Sequence, residues 1–492
     1  MFDAARELSC DVRTRFYING DWVKPASAQI RRVVDPLGNE VLQIPVASTI
    51  DIERAIRSAR SSFENGPWAA SEPKERAQYL RRLSEAVRRR IPLFARLWTA
   101  QVGAPIALTT RLAGAGLQRL EYNASILDSF SFEQSRQTHA GYARVRKVPA
   151  GVAVLIIPWN AAFPILCHKL GAALAAGCTC IVKPSPESPL DAMLLAECAH
   201  EAGLPSGVIN VVNAEEEASA ELVAHPEVDT VSFTGSFTTG RMIAAACAAN
   251  MTRHTLELGG KSSAILLGDA DTAHALDALM PFIMPFSGQI CFSQSRILVP
   301  KAKLDDVVSS LKLRLEALRV GDPWDAATEM GPVLNGRQAR RIAAYIESGL
   351  SDGARIVTGG EIRQDLGSGH WVQPTLFSGV RYDMKIAREE IFGPVCTVEV
   401  YEDEEDAVFM ANFPGMGLSG SIYSSDVRRA HKMAARLRAG QVGINRLEVA
   451  PSAPFGGFKR AGIGREGGLE GIEAFLETQA VLSPLPAEWI GA

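Results

Sequence analysis

Two hydrophobic patterns divide this chain of 492 residues. Between about residues 51 and 90, apolar residues recur at helical spacing, as in Ile52, Ala55, Ile56 and Ala59, which predicts amphipathic helices. From Gly151 onward, short apolar runs alternate with helical stretches; the runs are VAVLII, CTCIV, VINVV, TVSFTG, HTLEL and SAILL. This alternation is typical of a parallel β-sheet with crossover helices on its faces.

A second stretch, roughly residues 269–460, repeats the pattern in RILVP, ARIVTGG, CTVEVY, SGSIYS and QVGIN. Because single hydrophobic cores stop growing near about 250–300 residues, a chain of this length is expected to form more than one lobe. We therefore predict the α/β fold class, with two doubly wound lobes.

Composition narrows the range of partners. The formal net charge of −4 provides no basic surface for nucleic acid or anionic lipid, so we expect neither nucleic acid nor membrane as a partner. The apolar stretch that begins at Gly151 is interrupted by Pro158, Asn160 and Pro164 before it reaches the length of a membrane span. The amino terminus has no apolar signal region, so we predict a cytoplasmic protein. The eight cysteines are irregularly spaced, which predicts neither a disulfide framework nor a metal site.

Polar residues follow several of the predicted strands. In parallel sheets, ligands bind beyond the carboxyl ends of the strands, and the segments 158–160, 183–185 and 235–236 fall at such ends. In FTGSFTTG, Gly235 and Gly240 lie at a predicted strand-to-helix turn whose backbone amides can hold a phosphate. Alone, this turn is equally well explained as a structural feature.

Seven motifs occur together and in order. They are IPWN at Ile157–Asn160, KPSPE from Lys183, FTGSFTTG from Phe233, LELGGK at Leu256–Lys261, GQIC at Gly288–Cys291, EEIFGP at Glu389–Pro394 and PFGGFK at Pro454–Lys459. This set resembles the aldehyde dehydrogenase superfamily, of the NAD(P)-dependent, hydrolytic type, from about Phe16 to the end of the chain. The resemblance implies two Rossmann-like lobes, one for the cofactor and one for catalysis, with a small β arm for oligomerisation.

The resemblance also implies three catalytic residues. Cys291 matches the family nucleophile, whose thiolate attacks the aldehyde. Asn160 matches the asparagine whose side-chain amide stabilises the resulting oxyanion. Glu257 matches the general base that activates water to release the acid from the thioester.

The resemblance also implies which residues bind the cofactor. The expected cofactor is NAD, with NADP possible. The assigned positions are Ile157, Pro158, Trp159, Lys183, Ser185, Glu187, Gly235, Ser236, Gly240, Leu258, Glu390 and Phe392. Many relatives that prefer NAD carry a glutamate where this chain has Pro186, and here Glu187 follows one place later. The choice between NAD and NADP therefore stays open.

A mostly apolar tunnel is expected to lead the aldehyde to Cys291. Its candidate residues are Ala161, Ile165, His168, Ile290, Phe292, Leu447, Val449 and Phe455. We interpret His168 as part of the tunnel wall and not as an acid or base. Phe286 replaces the asparagine that relatives often carry before the nucleophile. This lining predicts a hydrophobic aliphatic, terpenoid or aromatic aldehyde as substrate.

The predicted domains follow from the resemblance. Residues 1–124 and 148–258 form the NAD(P)-binding domain, residues 259–457 the catalytic domain, and residues 125–147 and 458–492 the oligomerisation arm and C-terminal segment. An exposed edge strand in such an arm has unpaired backbone N–H and C=O groups, which a second subunit would cover. We therefore predict a homodimer or homotetramer.

Two other functions remain as alternatives. The acyl group can pass from the thioester to coenzyme A, although relatives of that kind generally lack the base found here as Glu257. A relative without turnover would keep the fold as a structural or binding protein. Ester hydrolysis by Cys291 is a plausible side activity.

Overall fold

A computed structural model describes residues 4–484, which form mixed α/β layers. The strands are β1 (Phe16–Ile18), β2 (Asp21–Val23), β3 (Ile30–Val34), β4 (Glu40–Pro45), β5 (Glu133–Thr138), β6 (Gly141–Pro149), β7 (Val152–Ile156), β8 (Thr179–Lys183), β9 (Ile209–Val211), β10 (Thr230–Thr234), β11 (Arg253–Glu257), β12 (Ser263–Leu266), β13 (Arg296–Pro300), β14 (Arg355–Thr358), β15 (Ile362–Arg363), β16 (Trp371–Val372), β17 (Thr375–Ser378), β18 (Val395–Tyr401), β19 (Met416–Gly417), β20 (Ser419–Tyr423), β21 (Gln441–Ile444), β22 (Phe458–Lys459), β23 (Gly462–Ile463) and β24 (Leu476–Ser483).

The helices connect and cover these strands. They are α1 (Cys10–Thr14), α2 (Thr49–Asn65), α3 (Pro73–Val102), α4 (Ile106–Leu112), α5 (Gly114–Ile126), α6 (Ala162–Ala176), α7 (Leu190–Glu201), α8 (Glu216–Ala224), α9 (Phe237–Asn250), α10 (Thr272–Leu279), α11 (Leu304–Ala317), α12 (Gly336–Ser351), α13 (Lys385–Arg388), α14 (Glu404–Asn412), α15 (Val427–Ala434) and α16 (Gly468–Glu473). Among the described residues, no helix is both long enough and apolar enough to cross a membrane.

The first sheet has eight strands in the order β2-β1-β9-β8-β7-β10-β11-β23. Strands β7 to β11 are parallel to one another, and the chain runs outward from β7 through β8 to β9 before it returns to β10 beside β7. This reversal makes the gap between β7 and β10 a topological switch point, where loops separate and leave a crevice beyond the carboxyl ends. The predicted doubly wound α/β fold is confirmed here.

The second sheet has seven strands in the order β14-β17-β18-β13-β12-β20-β21. Only its edge strand β14 is antiparallel among the described pairings of this sheet. A fully buried ion pair joins β13 to β18, with Arg296 Nε and Nη2 donating to Glu399 at 2.9 and 2.6 Å. Such a bidentate pair fixes both strands, because either charge alone would be costly to bury.

A third, antiparallel sheet has the order β24-β6-β5 and corresponds in position to the predicted arm. The segment 458–492 divides its described strands among three sheets, since β22 pairs with β19, β23 with β11 and only β24 with β6. Gly462 permits the pairing with β11, because a Cβ on it would lie 2.1 Å from the backbone oxygen of Leu256. Part of this segment therefore completes the first lobe, and residues 485–492 lie outside the described residues.

Candidate active site

A cavity of about 590 Å³ opens at the carboxyl ends of β7, β8, β10 and β11. Most of its lining residues come from the first lobe, and the loop before β13, helix α12 and the segment before β18 close it from the second lobe. The predicted catalytic and cofactor residues that line it are Ile157, Pro158, Trp159, Asn160, Lys183, Ser185, Gly235, Ser236, Glu257, Cys291, Glu390 and Phe392.

Cys291 follows a tight left-handed turn. Phe286 and Ser287 have φ values of 52° and 57°, and Gly288 follows at 68°. Left-handed backbone is unfavourable for residues with a Cβ, and strained backbone of this kind persists only where its surroundings hold it. Ser287 Oγ donates to the backbone oxygen of Gly331 at 2.7 Å and helps to hold the turn.

The surroundings of Cys291 favour its neutral thiol. Burial raises the pKa of the Cys291 thiol above its ordinary range, and the nearby carboxyls of Glu390 and Glu257 raise it further. Since the thiolate is the nucleophilic form, the thiol needs a favourable charge or a proton acceptor beside it before it can attack.

Asn160 is held at two points. It follows β7 in the loop before α6 and is buried. Its side-chain Nδ2 donates to the backbone oxygen of Gln289 at 2.8 Å, and its own backbone oxygen accepts from Trp98 Nε1 at 2.8 Å. Because an amide nitrogen carries two protons, one N–H of Asn160 is left for a ligand in the cavity.

Glu257 ends β11 and is only 3% exposed. Neither of its carboxyl oxygens has a hydrogen-bond partner among the described residues. Burial raises the pKa of Glu257 well above its usual range; the Glu466 carboxylate raises it further, whereas Lys169 and Arg465 oppose the shift. A buried carboxyl with free oxygens and a raised pKa is suited to accept a proton from water.

A buried charge cluster beside this glutamate was not predicted from the sequence. Lys169 Nζ donates to Glu466 and, at 2.9 Å, to Ser232 Oγ. His168 Nδ1 lies 3.8 Å from Glu466 Oε2, and burial lowers the pKa of His168 well below its usual value. His168, predicted as tunnel wall, is thus a buried neutral neighbour of this ion pair. Lys169 and Glu466 are 297 residues apart in sequence, so no local motif links them.

Lys183 and Glu187 lie together at the end of β8. Burial lowers the pKa of Lys183 to about 8, although the Glu187 carboxylate opposes that shift. Ser185 Oγ donates to Glu187 Oε2. A carboxylate is therefore present beside Lys183 even though position 186 is proline.

The turn after β10 exposes the start of α9. Ser236 caps this helix by accepting from the backbone nitrogen of Thr239 at 3.1 Å. Gly240 and Leu258 pack against each other behind the turn, where a Cβ on Gly240 would lie 2.6 Å from the Leu258 side chain. Of the predicted cofactor residues, Gly235 and Ser236 line the cavity, while Gly240 and Leu258 lie behind the turn and support it.

Glu390 and Phe392 form the opposite wall. Burial raises the pKa of Glu390 to about 7, and its Oε1 has no hydrogen-bond partner among the described residues. The ring of Phe392 contacts that of Trp159 edge-on, with centroids 5.6 Å apart. Arg341 and Gln338, which the sequence analysis missed, donate to the backbone oxygens of Glu390 and Phe392 and also line the cavity.

An apolar cluster adjoins Asn160 and Cys291. The predicted tunnel residues Ala161, Ile290 and Phe292 belong to it, together with residues that were not predicted, namely Trp98, Val102, Ala104, Leu108, Leu112, Phe286 and Leu334. Phe455 contacts Phe292, with ring centroids 6.1 Å apart. Of the other candidates, Leu447 is buried, and Ile165 and Val449 are partly buried.

These features fit a dinucleotide. The free start of α9 suits a pyrophosphate, and the buried, unpartnered Glu390 oxygen suits a ribose hydroxyl. Lys183 offers an ammonium in the wall of the same cavity. The nucleophile Cys291 lines the same cavity as Glu390.

Comparisons with known proteins agree with this arrangement. The model of the aldehyde dehydrogenase family matches residues 22–481. Geranial dehydrogenase from Castellaniella defragrans is 41% identical over 468 residues, which cover 94% of this chain and 98% of that protein. The crystal structure of a Mycobacterium tuberculosis aldehyde dehydrogenase complexed with NAD+ matches at a TM-score of 0.94 and 38% identity, covering 96% of this chain and 98% of the other.

A second solved structure contains an aldehyde as well. A mutant of aldehyde dehydrogenase C from Pseudomonas syringae, in complex with NAD+ and octanal, matches at a TM-score of 0.92 and 36% identity, covering 96% of this chain and 97% of the other. The chain therefore belongs to the aldehyde dehydrogenase family, whose NAD(P)-dependent members oxidise aldehydes to carboxylic acids.

Proposed function

We propose that this enzyme oxidises a hydrophobic aldehyde through a thiohemiacetal and then a thioester on Cys291, and releases the free acid. The supporting observation is the convergence of Asn160, Glu257 and Cys291 on one cavity from three separate segments of the chain. Each residue has the chemical character that its step requires.

In the first step, the thiol proton of Cys291 passes to solvent water, and the sulfur bonds to the aldehyde carbon. The carbonyl oxygen becomes an oxyanion, which the free N–H of Asn160 and the backbone amide of Cys291 stabilise. A preorganised donor of this kind is worth about 10²–10³ in rate. The two hydrogen bonds of Asn160 to Trp98 and Gln289 support such preorganisation.

The cofactor would be held by Lys183, the turn at Gly235 and Ser236, and Glu390. When bound there, NAD+ would supply the acceptor for the hydride of the thiohemiacetal carbon. Loss of the hydride restores the carbonyl and leaves the acyl group on sulfur as a thioester.

In the last step, Glu257 takes a proton from water while the water oxygen bonds to the thioester carbon. The carbon–sulfur bond then breaks, the acid leaves, and the proton held by Glu257 passes to the thiolate of Cys291 or to solvent. Glu257 favours this hydrolysis over transfer to coenzyme A, because its two unpartnered oxygens can orient a water molecule. An assay with added coenzyme A tests the alternative, which requires acyl-CoA to accumulate instead of free acid.

The apolar cluster favours a hydrophobic aliphatic, terpenoid or aromatic aldehyde. One relative is named as a geranial dehydrogenase and another structure contains octanal, whereas a relative of 38% identity is named as a betaine aldehyde dehydrogenase, so the proposal rests on the apolar cluster. Steady-state rates with NAD+ and NADP+ across aliphatic chain lengths, geranial and benzaldehyde test the proposal. We expect kcat/KM to rise with apolar chain length, and a preference for small polar aldehydes would contradict it.

We also propose a homodimer or homotetramer. The exposed strands β5 and β24 leave the edges of the third sheet without partners within the described chain. A second subunit would cover such edges. The cytoplasmic location stays a prediction from sequence.

A further inference from the structure

The backbone oxygen of Asn160 receives no hydrogen bond from helix α6, which follows it. The residue four places later is Pro164, in the first turn of α6, and proline has no N–H to donate. Trp98, from α3, supplies the missing donor through its indole Nε1 at 2.8 Å. Trp98 is 3% exposed, so water cannot readily replace this donor.

The indole ring is itself held in place. The Phe286 ring stacks on it, with centroids 5.0 Å apart and planes 17° from parallel. Phe286 adopts this position at a φ of 52°, a backbone conformation that bulky residues rarely adopt. Its backbone oxygen accepts from Gln289 Nε2 at 2.8 Å, and the backbone oxygen of Gln289 accepts from the side chain of Asn160.

We propose that Trp98 is a positioning residue for oxyanion stabilisation and acts through Asn160. These contacts form a closed network around Asn160. Trp98 donates to its backbone oxygen, and its side-chain amide donates to Gln289. Phe286 contacts both partners, by stacking on Trp98 and by accepting from Gln289 Nε2. This network fixes the direction of the free N–H of Asn160. Small errors in such a direction weaken transition-state stabilisation while leaving the fold intact. This inference rests on the proposed function.

The Trp98→Phe variant removes the indole N–H and keeps an aromatic ring. The matched control is Trp68→Phe, because Trp68 is equally buried and its Nε1 donates at 3.0 Å to the backbone oxygen of Cys178, in the first lobe. We expect Trp98→Phe to lower the rate constant of the first NADH burst by about tenfold. We expect the control to change that rate constant by less than about twofold.

A double-mutant cycle with Asn160→Ala separates positioning from general damage. In the Asn160→Ala background, Trp98→Phe should not lower the burst rate constant further, because the side chain that Trp98 positions is absent. Phe286→Leu, which removes the stacking and keeps the indole N–H, should slow the burst in the wild-type background and also lose its effect with Asn160→Ala. An equal loss in both backgrounds, or a burst unchanged by Trp98→Phe, would overturn the proposal.

The two proposals fail in different ways. If wild-type enzyme never forms an acyl adduct on Cys291, the proposed function fails. If the adduct forms normally but the effects of Trp98→Phe and Asn160→Ala multiply, only the positioning role of Trp98 fails.

Discussion

The Glu257→Gln substitution tests the role of the buried carboxyl most sharply. Glutamine keeps the shape, and because neither carboxyl oxygen has a partner among the described residues, no protein hydrogen bond is broken. We therefore expect the free energy of unfolding to change by less than about 1 kcal/mol at neutral pH. Loss of a general base costs about 10²–10⁴ in the step that it serves. Hydrolysis of the thioester should slow by that factor, while acylation should remain fast.

Stopped-flow absorbance of NADH measures both steps. Glu257→Gln should give a burst of about one NADH per active site, followed by a very slow steady state, since acyl-enzyme accumulates. Cys291→Ala is the control and should give neither phase, whereas Cys10→Ala, at an exposed cysteine, should behave as wild type. Steady turnover of Glu257→Gln at the wild-type rate, without a burst, would refute the reasoning.

The pH dependence provides a second readout of the same residue. Glu257 must be ionised to accept a proton, and its pKa lies well above the usual range for a carboxyl. The hydrolytic rate of the wild type should therefore rise with pH, with a midpoint above that of an ordinary glutamate. In Glu257→Gln this rising limb should disappear. A wild-type midpoint near the usual carboxyl value would contradict the assignment.

Three further predictions follow from other parts of the molecule. Glu187→Lys replaces the carboxylate beside Lys183 with an ammonium; we expect the ratio of kcat/KM for NADP+ to that for NAD+ to rise by about tenfold, and an unchanged ratio would show that Glu187 does not select the cofactor. Glu399→Gln leaves Arg296 buried without its carboxylate; urea unfolding should show a loss of about 3–5 kcal/mol, and a loss below about 1 kcal/mol would contradict the account. Sedimentation at micromolar concentration should show a dimer or tetramer, and a monomer would contradict the proposed assembly.

Much of the fold could be predicted from local pattern. The runs at 152–156, 179–183 and 230–234 are strands of the first sheet, because buried parallel strands are rich in apolar and β-branched residues. The helix predicted near 163–176 is α6 (Ala162–Ala176). By contrast, the pairing of Gly462 and Ile463 with β11 involves two residues without any periodic pattern, so only tertiary contact defines that strand.

Only those residues of the candidate site that belong to a recognisable motif could be predicted from the sequence. Cys291, Asn160 and Glu257 stand in motifs. Trp98 instead lies near the carboxyl end of the long amphipathic helix α3, where its sequence surroundings indicate only a core residue. Its contact with Asn160 spans 62 residues. Likewise, nothing local shows that Lys169 pairs with Glu466 or that Phe286 adopts a left-handed backbone.

The most direct test of the central claim is intact-protein mass spectrometry after acid quench of a single turnover with NAD+ and octanal. The account predicts an added octanoyl group, located by peptide mapping to Cys291 and accumulated most strongly in Glu257→Gln. Full production of NADH with no acyl adduct in either protein, or an adduct on another cysteine, would contradict it.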